Sequence, residues 1–216
     1  MTPAARGRPR SFDRGAALAR AMETFWEHGY ESTSMTALTS AMGINSPSLY
    51  AAFGSKEQLF REAVALYDAT EGASVNRALT EEPTAHAAVA TVLRENARAY
   101  TTAGRPSGCM IVLAATNCSE PNAAAQEYLA EWRRSGIEDL TRRLDQGVRD
   151  GELPAGTDAS AVAHFYTAVL QGMSVQARDG ASRADLERVA DQAMTAWDAV
   201  TAQRRRSAPS PPPPTK

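Results

Sequence analysis

The stretch TSMTALTSAMGINSPSLYAAFGSKEQLF, residues 33–60, decides the fold. Met35, Leu38 and Met42 recur at helical spacing, and Gly43 stops that run. Asn45 supplies an N-cap, and Pro47 stands in a first turn where its missing N–H costs nothing. The spacing predicts a short helix over residues 46–53, ended by Gly54. Ser55, with Gln58 three residues on, predicts a capping box opening a longer helix with Leu59, Phe60, Ala63, Val64 and Tyr67. Upstream, Asp13 caps a predicted helix over residues 13–28 that carries Leu18, Ala21, Met22 and Phe25 and stops at Gly29. Two short helices joined by a glycine turn beside a longer one make a helix-turn-helix arrangement.

The second helix of such a pair enters the major groove with its N-terminal residues toward base edges. Here these are Ser46, Pro47 and Ser48, with Ala51 and Ala52 one turn later. Small side chains let the helix sit deep, hydroxyls meet base edges or phosphates, and alanine methyls contact thymine methyls. Tyr50 on the same face can donate to a phosphate. Thr33, Ser34 and Thr36 cluster at a helix N-terminus, where free N–H groups favour a phosphate. Lys56 opens the next helix, a poor place for a cation unless a phosphate sits nearby. For Phe53, core packing is the expectation.

Charge divides unevenly along the 216 residues, whose formal net charge is -2. Residues 1–56 are net basic and residues 57–203 are strongly acidic. Arg6, Arg8 and Arg10 stand together with no acid before Asp13, and Arg6-Gly7-Arg8-Pro9 matches the core of minor-groove AT-hook peptides. A basic head on an acidic body suits a nucleic-acid-binding module fused to a different domain. The start lacks an apolar run after its charges, and no segment has membrane-span length, so a cytoplasmic location is expected. Cys109 and Cys118 cannot build a disulfide scaffold or a four-ligand zinc site. His28, His86 and His164 lie far apart, and no catalytic set emerges.

Residues Phe25-x-x-x-Gly29-Tyr30-x-x-Thr33-Ser34-Met35, then Met42-Gly43-Ile44-Asn45-Ser46-Pro47-Ser48-Leu49-Tyr50-x-x-Phe53-Gly54-Ser55-Lys56-x-x-Leu59-Phe60, resemble the DNA-binding domain of the TetR (tetracycline repressor) family. The stretches around Ser107-Gly108-Cys109-Met110 and residues 172–180 resemble one branch of it. The resemblance implies a homodimeric transcription regulator, usually a repressor, released from a DNA operator by a small ligand in its C-terminal body. It places DNA contact on Thr33, Ser34, Ser46, Pro47, Ser48, Tyr50 and Lys56. It places core roles on Phe25, Leu49, Phe53 and Leu59.

The remainder reads as helix almost throughout, giving an all-α chain of about nine helices. Runs are predicted over residues 55–79, 84–102, 106–117, 123–150, 158–178 and 182–203. The domains expected are a basic arm (1–10), a helix-turn-helix domain (11–55), a ligand-binding and dimerisation domain (56–203) and an Arg/Pro-rich tail (204–216). Helices 158–178 and 182–203 are expected to pair with a second copy as a four-helix interface. The uncharged segment around Cys109–Ala115 must be surrounded by protein and is the expected wall of a cavity for a mostly apolar ligand. Candidate lining residues are Tyr67, Cys109, Met110, Leu113, Tyr128, Trp132, Phe165 and Met173, with Tyr166 by residue type. No cofactor or metal is expected. The helix from residue 55 is expected to be the only long element touching both domains. Two alternatives stand beside this expectation: an architectural protein of A·T-rich DNA with no ligand, and a helical enzyme.

Overall fold

A computed structural model describes residues 12–202, so Arg6, Arg8, Arg10 and the tail lie outside the described residues. The described residues form eleven α-helices and no strand. In chain order they are α1 (Arg14–Ser32), α2 (Met35–Met42), α3 (Ser46–Phe53), α4 (Lys56–Thr70), α5 (Ala73–Glu81) and α6 (Ala85–Ala99). Then come α7 (Met110–Leu113), α8 (Ala123–Arg149), α9 (Ala159–Arg178), α10 (Arg183–Thr195) and α11 (Trp197–Thr201).

The caps read from the sequence at Asp13 and Asn45 form: Asp13 accepts from the Gly15 and Ala16 N–H groups and Asn45 from Ser48. Ser34, read from the sequence only as a phosphate contact, caps α2 by accepting from the Ala37 N–H. Gly43 ends α2 in the left-handed conformation (φ 66°), which glycine adopts without a Cβ penalty. The capping box at α4 is half made. Ser55 Oγ accepts from the Gln58 N–H, but the Ser55 N–H donates to the Phe53 carbonyl instead.

Two predicted runs divide. The run over 55–79 breaks at residues 71–72, where the Glu71 and Gly72 N–H groups both bond the Tyr67 carbonyl. The run over 182–203 breaks at Ala196, which turns Trp197 into the core beside Tyr166. The run over 106–117 shrinks to the single turn of α7. Gly108 takes φ 77° and Cys109 is extended, so residues 107–109 form a loop whose backbone groups bond other elements.

Two apolar cores result. The first joins α1 to α4 around Phe25, Leu38, Leu49, Leu59 and Phe60, and also takes in Met110, Ala114 and Leu129 from the body. The second joins α6 and α8 to α11 around Leu93, Leu144, Tyr166, Met173 and Leu186. Cys109 packs against both.

Candidate nucleic-acid interface and cavity

α3 lies across the head with Leu49 and Phe53 buried and Ser46, Pro47, Tyr50 and Ala51 exposed. Tyr50 is 51% exposed, so its ring is not core and its hydroxyl is free to reach outward. Ser48 is half-buried. Arg14 fixes this helix to its neighbours. Its guanidinium pairs with Glu62 of α4 (2.7 Å), donates to the Ala52 carbonyl (3.2 Å) and lies 4.3 Å from the Phe53 ring centroid. Sequence reading missed this role, because nothing local marks Arg14 as different from Arg20.

Thr33 is corrected as a DNA contact. It is 1% exposed and its hydroxyl donates to the Gly29 carbonyl (2.6 Å), closing the end of α1. Ser34 and Thr36 are exposed at the start of α2, with Ser34 Oγ occupied as the cap. Lys56 is half-buried, with Nζ 4.3 Å from the Tyr30 ring centroid. Burial holds its ammonium below the usual lysine range, against the opposing pull of Glu31.

Behind the head lies a cavity of about 280 Å³. Its walls come from α4 and α5, α6, the 109–112 segment, α8 and α9. Of the eight lining residues expected from the sequence, Tyr67, Cys109 and Trp132 border it. The other five do not, for identifiable reasons. Met110 turns into the first core and Met173 into the second, both fully buried. Leu113 packs toward Gly108. Tyr128 lies under the Arg61 guanidinium, 4.3 Å from its carbon, and Phe165 is 38% exposed on the outer side of α9. Residues the sequence did not mark include Asp68, Asn96, Tyr100 and Arg133. Asn96 carried a usable signal, a polar side chain on the apolar stripe Val89, Val92, Leu93 and Ala97. Burial holds the Tyr67 and Tyr100 hydroxyls, beside Cys109, well above the usual tyrosine range.

Hydrogen bonds to backbone carbonyls join the segment beside the cavity to the head. The Tyr30 N–H donates to the Ala114 carbonyl (2.6 Å), and Trp26 Nε1 donates to the Gly108 carbonyl (3.0 Å). Arg178, at the end of α9, donates to the carbonyls of Trp26 (2.8 Å), Glu27 (2.9 Å) and Ser107 (3.0 Å). Ser174 Oγ accepts from the Cys109 N–H (2.8 Å). α4 is therefore not the only long element touching both parts, because α1 is tied to the body as well.

A helix-turn-helix head bonded to a helical body with a cavity defines a DNA-binding regulator of transcription. Residues 17–63 match the family model for bacterial regulatory proteins of the tetR family. Residues 85–196 match that for a tetracyclin repressor-like C-terminal domain. The chain belongs to the TetR family. It is 35% identical over 193 residues to the HTH-type transcriptional repressor ComR of Escherichia coli K12, covering 89% of this chain and 92% of that one. It is 32% identical over 196 residues to the repressor BdcR of the same organism, covering 90% and 92%. A cysteine mutant of the TetR family regulator CifR, solved with 26-base-pair double-strand operator DNA, superposes with a TM-score of 0.86 at 46% identity. That match covers 88% of this chain and 100% of CifR. These relatives are regulators, not enzymes.

Proposed function

We propose that the protein is a homodimeric repressor that leaves a palindromic operator when a small, mostly apolar molecule enters its cavity. The observation that carries this is the bonding to the head of the residues that flank the cavity wall. Cys109, Ile111 and Val112 border the cavity, while Gly108 and Ala114, on either side of them, bond Trp26 and Tyr30 of α1. A ligand that moves the 109–112 segment moves α1, and with it α3. An architectural protein without a ligand needs neither the cavity nor this connection.

DNA contact falls to Ser46, Pro47, Ser48 and Tyr50 of α3, with Ser34, Thr36 and Lys56 placed for phosphates. Arg6, Arg8 and Arg10 add minor-groove attraction. The dimer forms through α9 and the segment of α10 and α11. Phe165 and Val175, the large apolar side chains that α9 leaves exposed, support that face. A two-fold axis there predicts half-sites about 34–36 Å apart, or a multiple of that. No described helix is long and apolar enough to cross a membrane.

Selection of genomic fragments by the full-length protein, then fluorescence anisotropy on the recovered duplex, tests this. The expected result is a palindrome bound as a dimer at least about 10³-fold tighter than random duplex. Equal affinity for both duplexes sinks the proposal.

A further inference from the structure

Three carboxylates border the cavity, and two have cationic partners of their own: Glu71 pairs with Arg105, and Asp139 with Arg142. Asp68 has neither an ion pair nor a hydrogen bond among the described residues. Its position is unfavourable on separate grounds. It is partly buried, and burial pushes its carboxyl above the usual aspartate range. It also lies in the last turn of α4, where the helix dipole already presents negative charge. It caps nothing and joins no network. The guanidinium on the wall, Arg133, donates to the Ile111 carbonyl (2.9 Å) and makes no ion pair with Asp68. The cavity is thus negative at its α4 wall. Elsewhere the wall is mainly aliphatic, with Val75, Val92, Leu140 and Leu170, and Arg133 lies on its α8 side; among these stand the rings of Tyr67, Trp132 and Tyr166, of a type whose faces attract cations.

We propose that the cavity takes an organic cation, a protonated or quaternary amine on a compact apolar body, with Asp68 as its counter-ion. This rests on the cavity being the effector site and adds the chemical class of the effector. The cation supplies the partner that the fold withholds from Asp68. At about 280 Å³ the cavity lies near the small end of ligand sites and suits one ring plus an ammonium head.

The test uses the full-length protein and two matched pairs of probes: benzyltrimethylammonium with neopentylbenzene, and choline with 3,3-dimethyl-1-butanol. Each pair differs by a quaternary nitrogen against a carbon. Calorimetry gives affinity, and anisotropy on the selected operator gives release. The cation of the aromatic pair should bind about tenfold tighter than its neutral match and release the operator. Asp68→Asn should bring that ratio close to one, and Asp68→Glu, which keeps the charge, should retain most of it. Thermal midpoints of both variants check that they fold. A wild-type ratio of one, or a ratio unchanged in Asp68→Asn, overturns the assignment. If neutral probes bind and release the operator as well as cations do, the effector site stands and the counter-ion falls. If neither cation binds up to about 10 mM and neither neutral match binds up to its solubility, both fall.

Discussion

At the scale of single residues, Tyr50 and Lys56 separate binding from folding. Tyr50 is half in solvent and holds no internal hydrogen bond, so Tyr50→Phe should leave the melting midpoint unchanged. It should weaken operator binding by about 1.5 kcal/mol, roughly tenfold, if the hydroxyl meets a phosphate. Anisotropy and calorimetry on one preparation check both halves. Lys56→Ala should lower the slope of log affinity against log salt by about one per protomer. An unchanged slope shows that Nζ stays on the Tyr30 ring in the complex. Gly29 is different, because its φ of 78° and ψ of 165° lie in a region open essentially to glycine. An added Cβ would also stand 3.2 Å from the Ala114 carbonyl. Gly29→Ala should cost about 1–3 kcal/mol in urea unfolding. Asp68 gives a pH signature. Its folded pKa lies above the unfolded one, so the fold gains stability as pH falls through the folded value toward 3.8. Asp68→Asn should therefore raise the melting midpoint at pH 7, and the gain should shrink as pH falls below the ordinary aspartate value, where the carboxyl becomes protonated in the folded and the unfolded chain alike.

At the scale of elements, Arg178 is the connection most open to a direct test. Its three bonds reach α1 and the loop before α7, and replace backbone partners that the end of α1 would otherwise seek in water. Arg178→Ala should destabilise the fold by roughly 2–4 kcal/mol and loosen the head against the body. The mark of a coupling role is operator affinity that no longer responds to a bound effector, while Arg178→Lys restores part of the response. Wild-type response in Arg178→Ala at a temperature where it is folded removes Arg178 from the path. On the outer face of α9, Phe165→Glu should yield monomers in sedimentation at micromolar concentration. It puts charge where two copies would meet, and Phe165 borders neither the cavity nor the head.

At the scale of the whole molecule, charge is distributed by segment. Residues 12–56 carry Arg14, Arg20 and Lys56 against Asp13, Glu23, Glu27 and Glu31, so the folded head is not basic by itself. The excess comes from Arg6, Arg8 and Arg10. Removing residues 1–10 should leave the melting midpoint in place and lower the salt slope by up to about three per protomer. Specificity, read as the ratio of operator to random duplex affinity, should fall less than affinity, because base edges are met by α3. If affinity survives the deletion, attraction comes from the folded head alone.

Local chemistry was enough to specify the head. The caps at Asp13, Asn45 and Ser55, the turn at Gly43 and the apolar spacing of Phe25, Leu38, Leu49 and Leu59 act within a few residues of one another. Each is therefore legible along the chain and recurs in the structure. The uncharged segment around Cys109 likewise announced burial. Its conformation was not local. Gly108 and Cys109 leave the helical path because Trp26, Tyr100 and Ser174, from three distant elements, satisfy their backbone groups. The same cause displaced Thr33, whose hydroxyl turns inward to Gly29, and sorted the lining candidates. Residue type marked Met110, Tyr128, Phe165 and Met173 as able to line a cavity. Only the packing of α4, α6, α8 and α9 around one space decided that Asp68, Asn96 and Arg133 would face it instead. Periodicity tells which side of a helix is buried, but which neighbour that side meets depends on how the helices cross.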